Sequence, residues 1–146
     1  MLYLDTSLAV TLVTAEAHTA LAQDWLADQD PQHLVVSDWV LTEVASALSI
    51  KQRSGQLDEI ARARAARNFA ALVQATLTVL AVPRAAFTSA AAMVQRPELL
   101  LRSSDALHLA IADHHGAQVC TRDARQAEAG RRLGLRVLLL GVGGGP

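Results

Sequence analysis

A single cysteine, few aromatic residues and no long hydrophobic run set the first limits on this chain. Cys120 has no second thiol to pair with, so an internal disulfide framework is excluded and a reducing compartment suits the protein. Aromatic residues make up only 3% of the chain, so a core must be built from Ala, Leu and Val. That favours close-packed helices over an aromatic-rich β-sandwich. No apolar stretch approaches the roughly 18 residues needed to cross a bilayer, and the first residues lack a basic segment followed by an apolar one. The expectation is a soluble, cytoplasmic protein with no membrane partner. The formal net charge is −1, so nucleic acid would have to be held by a local patch or through a bound cation, because a binder held by charge alone is clearly basic.

What the chain does have is 146 residues, 51% of them hydrophobic, and an alternation of short apolar runs with longer amphipathic ones. Strands are expected from Met1 to Leu4, Leu34 to Ser37, Leu77 to Val82, Gln118 to Thr121 and Arg136 to Leu140. Helices are expected after Asp5, with Thr6 or Ser7 as the cap, and over 17–28, 38–54, 57–74, 84–95, 104–115 and 123–133. Gly55 and Gly134 read as helix stops, and Pro31, Pro83 and Pro97 close other segments. Strands this short and apolar throughout suit a mostly parallel sheet covered by helices on both faces. We expect one α/β domain over 1–140, followed by a flexible Gly-rich tail at 141–146.

The acids fall at informative places in this scheme. Asp5 closes the first strand, Asp123 follows the fourth, and Asp105 sits in the first turn of its helix. Sites in open α/β sheets form beyond the carboxyl ends of the strands, so Asp5 and Asp123 would share an edge if their strands are parallel neighbours. Glu43 lies within a helix among Val40, Leu41, Val44 and Ala47, on or beside a buried face. Carboxylates in apolar surroundings are costly, and several together repel one another. Hard divalent cations relieve both costs, and they attract phosphate oxygens and acidify water. Four acids without His or Cys ligands therefore point to phosphodiester chemistry with Mg²⁺ or Mn²⁺.

These segments resemble the PIN-domain nucleases, and most closely the VapC-type toxins of bacterial toxin–antitoxin pairs. The resemblance is carried by Leu4-Asp5-Thr6-Ser7, Leu41-Thr42-Glu43-Val44, Ser104-Asp105-Ala-Leu-His108-Leu-Ala and Thr121-Arg122-Asp123, in that order. The tracts Arg53-Ser-Gly-Gln-Leu and Leu133-Gly-Leu-Arg-Val also look like that family. The resemblance implies a PIN-like three-layer α/β/α fold and endonucleolytic cleavage of RNA with Mg²⁺ or Mn²⁺. It also implies a homodimer and inhibition by a cognate antitoxin. Asp5 and Asp105 would be the principal metal ligands, with Glu43 and Asp123 completing the site, and Thr6, Ser7 and Thr121 would orient these carboxylates.

Other residues read more plainly. His108, one turn after Asp105, reads as a packed or interfacial histidine, and His114 and His115 as cations at a helix end. Cys120 reads as a small core residue, and Trp25 and Trp39 as packing residues. Arg62, Arg64 and Arg67 read as a solvated face, whereas Arg102 and Arg122, beside the acids, are candidates for RNA contact. Two other functions fit the same features: a PIN nuclease of RNA processing outside any toxin system, and a module that binds RNA or a partner without cleaving. A neighbouring antitoxin gene separates the first from a toxin, and metal binding separates the second from an enzyme.

Overall fold

The structure is a computed structural model that describes residues 1–141, so most of the expected tail lies outside the described residues. Five strands, β1 (Leu2–Leu4), β2 (Leu34–Ser37), β3 (Thr78–Leu80), β4 (Gln118–Thr121) and β5 (Val137–Leu139), form one sheet in the order β3-β2-β1-β4-β5. Every neighbouring pair is parallel. The expected mostly parallel sheet is thus parallel throughout.

The helices are α1 (Thr6–Val13), α2 (Thr19–Ala27), α3 (Asp38–Arg53), α4 (Glu59–Ala75), α5 (Arg84–Val94), α6 (Ser103–His114) and α7 (Ala124–Arg132). Helices α1 to α4 pack on one another, and α6 packs on both α5 and α7. Strand order runs outward from β1 to β3 and then reverses through β4 to β5. Because parallel crossovers are right-handed, that reversal puts the two helix groups on opposite faces of the sheet. The result is the α/β/α layering expected from the apolar strands. None of the described helices is long and apolar enough to cross a membrane.

The core lies where the central strands meet the first and sixth helices. Tyr3, Leu4, Leu34, Val36 and Cys120 are buried from the sheet, with Leu8 and Ala9 from α1 and Leu109 and Ile111 from α6. Helix α6 is buried from Ala106 through Ala112, so Asp105 and His108 project from an element that packing holds on nearly all sides. The stop at Gly55 closes α3: its φ is +76°, the Gly55 N–H donates to the Gln52 carbonyl, and the Gln56 N–H donates to the Lys51 carbonyl. A left-handed residue at that point is the usual glycine-terminated helix end.

Gly130 answers a different demand. A Cβ there would meet Val137 Cγ2 at 2.6 Å and Leu109 Cδ2 at 2.9 Å, so α7 lies against β5 and α6 at a distance only a hydrogen allows. Overpacking costs about 1–3 kcal/mol, of which better helix propensity returns at most about 1 kcal/mol. Gly130→Ala is therefore expected to lower the urea midpoint without changing the slope of the transition. A raised midpoint would show that Val137 and Leu109 turn aside freely.

Candidate active site

Pairing of β1 with β4 determines where the acids go. With Leu4 opposite Cys120, Asp5 and Thr121–Asp123 leave the same edge of the sheet side by side. The chain diverges here, with β2 and β3 on one side of β1 and β4 and β5 on the other, which is the switch point where α/β sheets open a crevice. Asp5, Glu43, Asp105 and Asp123 all line one cavity of about 350 Å³ at this edge. The structure thus brings together all four acids singled out in the sequence. A larger hollow of about 410 Å³, bounded by Leu12, Leu26, Leu34 and Leu72, is lined by no titratable side chain.

Asp5 is only 2% exposed and, among the described residues, has no Lys or Arg partner. Burial pushes its carboxyl above the usual range, while the nearby His108 imidazole and hydrogen bonds from Thr121, Leu8 and Ser7 pull it back. The Thr121 hydroxyl donates to Oδ2 at 2.6 Å, the Ser7 hydroxyl to Oδ1 at 2.8 Å, and the Leu8 N–H to Oδ1 at 2.9 Å. The hydroxyls are themselves aimed by backbone: the Arg122 N–H donates to Ser7 Oγ and the Asp123 N–H to Thr121 Oγ1. Ser7 and Thr121 therefore orient the Asp5 carboxylate. The expectation that Thr6 or Ser7 caps α1 is corrected: Asp5 is the cap, because its carboxylate takes the Leu8 N–H. The Thr6 hydroxyl is occupied with Glu43, and that of Ser7 with Asp5.

Glu43 is held by residues from two other elements. The Thr6 hydroxyl donates to Oε2 at 2.7 Å, and His108 Nε2 lies 2.6 Å from the same oxygen. Burial alone would raise this carboxyl, but the His108 hydrogen bond and charge together with Thr6 outweigh it and hold Glu43 below the usual range. His108 is buried, as expected, yet it does more than pack. Its Nδ1 lies 2.9 Å from the Tyr3 hydroxyl, which lies 2.8 Å from Ser37 Oγ. Because a carboxylate can only accept, His108 Nε2 carries a proton and donates it to Glu43, while Nδ1, the Tyr3 hydroxyl and Ser37 Oγ form the rest of the chain. Tyr3 and His108 are the residues that sequence reasoning missed here. The only signal was the one-turn spacing of His108 from Asp105.

Asp105 and Asp123 complete the acidic wall. Asp123 caps α7, with its Oδ1 accepting the Arg125 and Gln126 N–H groups. Burial raises the Asp105 carboxyl, and the like charge of Asp123 raises it further, partly offset by the Arg102 backbone. Gln126 also lines the cavity, and its Nε2 is buried without a hydrogen-bond partner among the described residues. Arg102 is exposed, and the Arg122 guanidinium donates to the Leu140 carbonyl at 3.1 Å; neither lines the cavity. Cys120, its thiol pushed up to about 12 by burial, is an inert core residue as expected.

Whether a cation fits is a question of donor chemistry. Among the described residues no three His, Cys, Asp or Glu groups are drawn together closely enough to enclose a metal ion as they stand. The donors are nevertheless carboxylate oxygens, one of them buried without a cationic partner and another raised by its like-charged neighbour. A hard divalent cation relieves both.

Comparison with known proteins agrees with this layout. The family model described as the PIN domain matches residues 2–132. A search of curated protein sequences finds no significant match. Among solved structures, VapC20 of Mycobacterium tuberculosis, described as a Sarcin-Ricin loop cleaving toxin, is similar with a TM-score of 0.70 and 23% identity, covering 89% of this chain and 95% of that one. VapBC2 from Rickettsia felis, bound to a promoter DNA fragment, gives a TM-score of 0.65 at 15% identity over 97% and 100% of the two chains. FitAcB from Neisseria gonorrhoeae gives 0.68 at 14% over 94% and 96%.

A prediction follows from the raised Asp105 carboxyl. A carboxyl whose folded-state pKa exceeds its unfolded value favours the fold at low pH and loses that contribution as pH rises through the folded value. At pH 7 in EDTA, ionised Asp105 therefore works against folding, and Asp105→Asn is expected to raise Tm. The gap should close as pH falls below the ordinary carboxylate range. An unchanged or lower Tm at pH 7 would show that Asp105 carries no such cost.

Proposed function

Because the chain belongs to the PIN domain family, we propose that it is a metal-dependent endoribonuclease acting as the toxin of a toxin–antitoxin pair. The observation that carries this reading is the convergence of Asp5, Glu43, Asp105 and Asp123 on one cavity, with Asp5 buried and lacking a cationic side chain. Asp5 and Asp105 are the principal holders of Mg²⁺ or Mn²⁺, and Glu43 and Asp123 complete the set. Bound there, the cation supplies Lewis acidity that makes water a better nucleophile and offsets charge on the phosphate. The chain's own groups do the remaining work. Thr121 and Ser7 fix the Asp5 carboxylate, and the His108 Nε2 proton and Thr6 hydroxyl fix Glu43 Oε2, which keeps Glu43 ionised and able to accept a proton from water. Arg102 and Arg122 lie outside the cavity, so RNA contact by either falls on its approach.

A cognate antitoxin is part of this proposal, supported by the likeness to chains solved as VapBC and FitAB assemblies. A second copy of the chain is supported by an apolar hollow of about 350 Å³ formed by Trp39, Phe87, Ala90, Val94 and Leu107, in which Phe87 is 53% exposed.

The test is cleavage of total cellular RNA by purified chain freed of any co-purified partner, in Mg²⁺, in Mn²⁺ and in EDTA. Discrete fragments are expected with either metal and none in EDTA. Asp5→Asn keeps a good helix cap while removing the charge, so it should fold and lose activity. The loss should exceed about 100-fold, since even groups that only orient a metal ligand cost roughly 10–100-fold when removed. Cleavage by Asp5→Asn at the wild-type rate would remove Asp5 from the mechanism. No cleavage by the folded, metal-supplied wild type would overturn the proposal.

A further inference from the structure

Lys51 is the only lysine in the chain; the other twelve of its thirteen Lys and Arg residues are arginines. It is also the only Lys or Arg that lines the acidic cavity. It projects from the last turn of α3, whose end is fixed by bonds from the Gln56 and Leu57 N–H groups to its own carbonyl. Its Nζ lies 2.6 Å from Glu16 Oε1 and 3.1 Å from Gln56 Oε1. Glu16 is held in turn: the Thr14 hydroxyl donates to Oε1 at 3.1 Å, and the Glu16 N–H donates to Thr19 Oγ1 at 2.9 Å. The Glu16 side chain remains 39% exposed and that of Lys51 22% exposed, so the pair sits on the rim of the cavity, where solvent reaches it.

A cavity lined by Asp5, Glu16, Glu43, Asp105 and Asp123 repels a polyanionic strand. A cation among the four acids would offset the phosphate at the reacting centre, but the next phosphates along the strand would still face the rim. Lys51 is the one ammonium placed there, and in the absence of RNA its charge is taken by Glu16. We propose that Lys51 binds a phosphate of the RNA strand flanking the cleaved one, and that this phosphate displaces Glu16 from Nζ. This rests on the ribonuclease reading above. Glu16 is then a competitor that holds the ammonium ready and raises the cost of occupying it. An ion pair that only ties the α1–α2 loop to α3 predicts something different. In that case, removing either partner breaks the same bridge and has the same consequence.

The sign of the two effects therefore separates the readings. Affinity is measured by fluorescence anisotropy of a labelled, mixed-sequence, single-stranded 12-nucleotide RNA, in Mn²⁺ at several salt concentrations. The background is Glu43→Gln, which leaves Asp5 and Asp105 to hold Mn²⁺ but removes the carboxylate that accepts a proton from water, and so is expected not to cut. Lys51→Met should weaken binding about tenfold, the scale of one charge-assisted phosphate contact. It should also make the slope of log K against log salt shallower by about 0.7, as for one released counterion on a single strand. Lys51→Arg should recover most of that loss. Glu16→Gln should tighten binding, because the ammonium no longer has to be released. Arg53→Met, two residues along the same helix and outside the cavity, controls for loss of charge alone. Circular dichroism verifies that each variant is folded.

The chain's single lysine also allows a direct readout. After reductive ¹³C-methylation, Lys51 gives one dimethylammonium NMR signal besides that of the N-terminus, and this signal should shift on adding the RNA. Weakening of binding by both Lys51→Met and Glu16→Gln would overturn the proposal in favour of a structural tie. So would a Lys51→Met effect no larger than that of Arg53→Met. No saturable RNA binding, with cleavage by the wild type intact, would overturn the Lys51 contact alone; no binding and no wild-type cleavage would overturn the ribonuclease reading with it.

Discussion

A carboxylate is buried at the carboxyl end of β1, and most of the site can be understood as the means of keeping it there. Asp5 sits beside β4 because β1 and β4 are parallel neighbours, and it is only 2% exposed. Burying an ionised carboxylate without a cation costs several kcal/mol unless hydrogen bonds replace its water. Here they come from a helix start, from Ser7 and from Thr121, whose hydroxyls are fixed by the backbone that leads into α7. One carboxylate thus joins β1, α1, β4 and α7. The same arrangement leaves it oriented toward a cavity that three further acids line.

Glu43 is managed in the opposite way. Where burial raises Asp5, the His108 imidazole and the Thr6 hydroxyl lower Glu43, and Tyr3 and Ser37 hold the imidazole from behind. The two carboxylates therefore differ in proton affinity although they share a cavity. Environments that push neighbouring acids apart are how one site divides its roles between holding charge and accepting a proton. The relay also ties β1, β2, α3 and α6 to each other through side chains, so the geometry of Glu43 depends on the core being formed.

Some of this was legible in the sequence and some was not, for identifiable reasons. Acids at the ends of apolar runs gave Asp5, Asp105 and Asp123, and a charge on a buried helical face gave Glu43. These are local signals. The helix stops at Gly55 and Gly134 were equally local, and both residues have positive φ. The cap of α1 was misassigned because a strand-ending acid and a following Thr-Ser are equivalent caps until one knows what the hydroxyls bind. The bond between Tyr3 and His108 joins residues 105 apart, and sheet order rather than spacing brings them together. The close approach at Gly130 depends on how α7 lies over β5, which no local pattern records. Lys51 was passed over because a lysine near a helix end is ordinarily a solvated cation suited to the dipole.

The central claim is that these carboxylates together make a cation site, although none of them is arranged as a closed cage without the ion. Calorimetric titration of Mn²⁺ into metal-free chain tests that claim before any substrate is known. The account predicts saturable binding to the wild type that is lost in both Asp5→Asn and Asp105→Asn. Binding of equal strength and stoichiometry in all three proteins would contradict it, because the acids would then be structural caps and the cation would be held elsewhere.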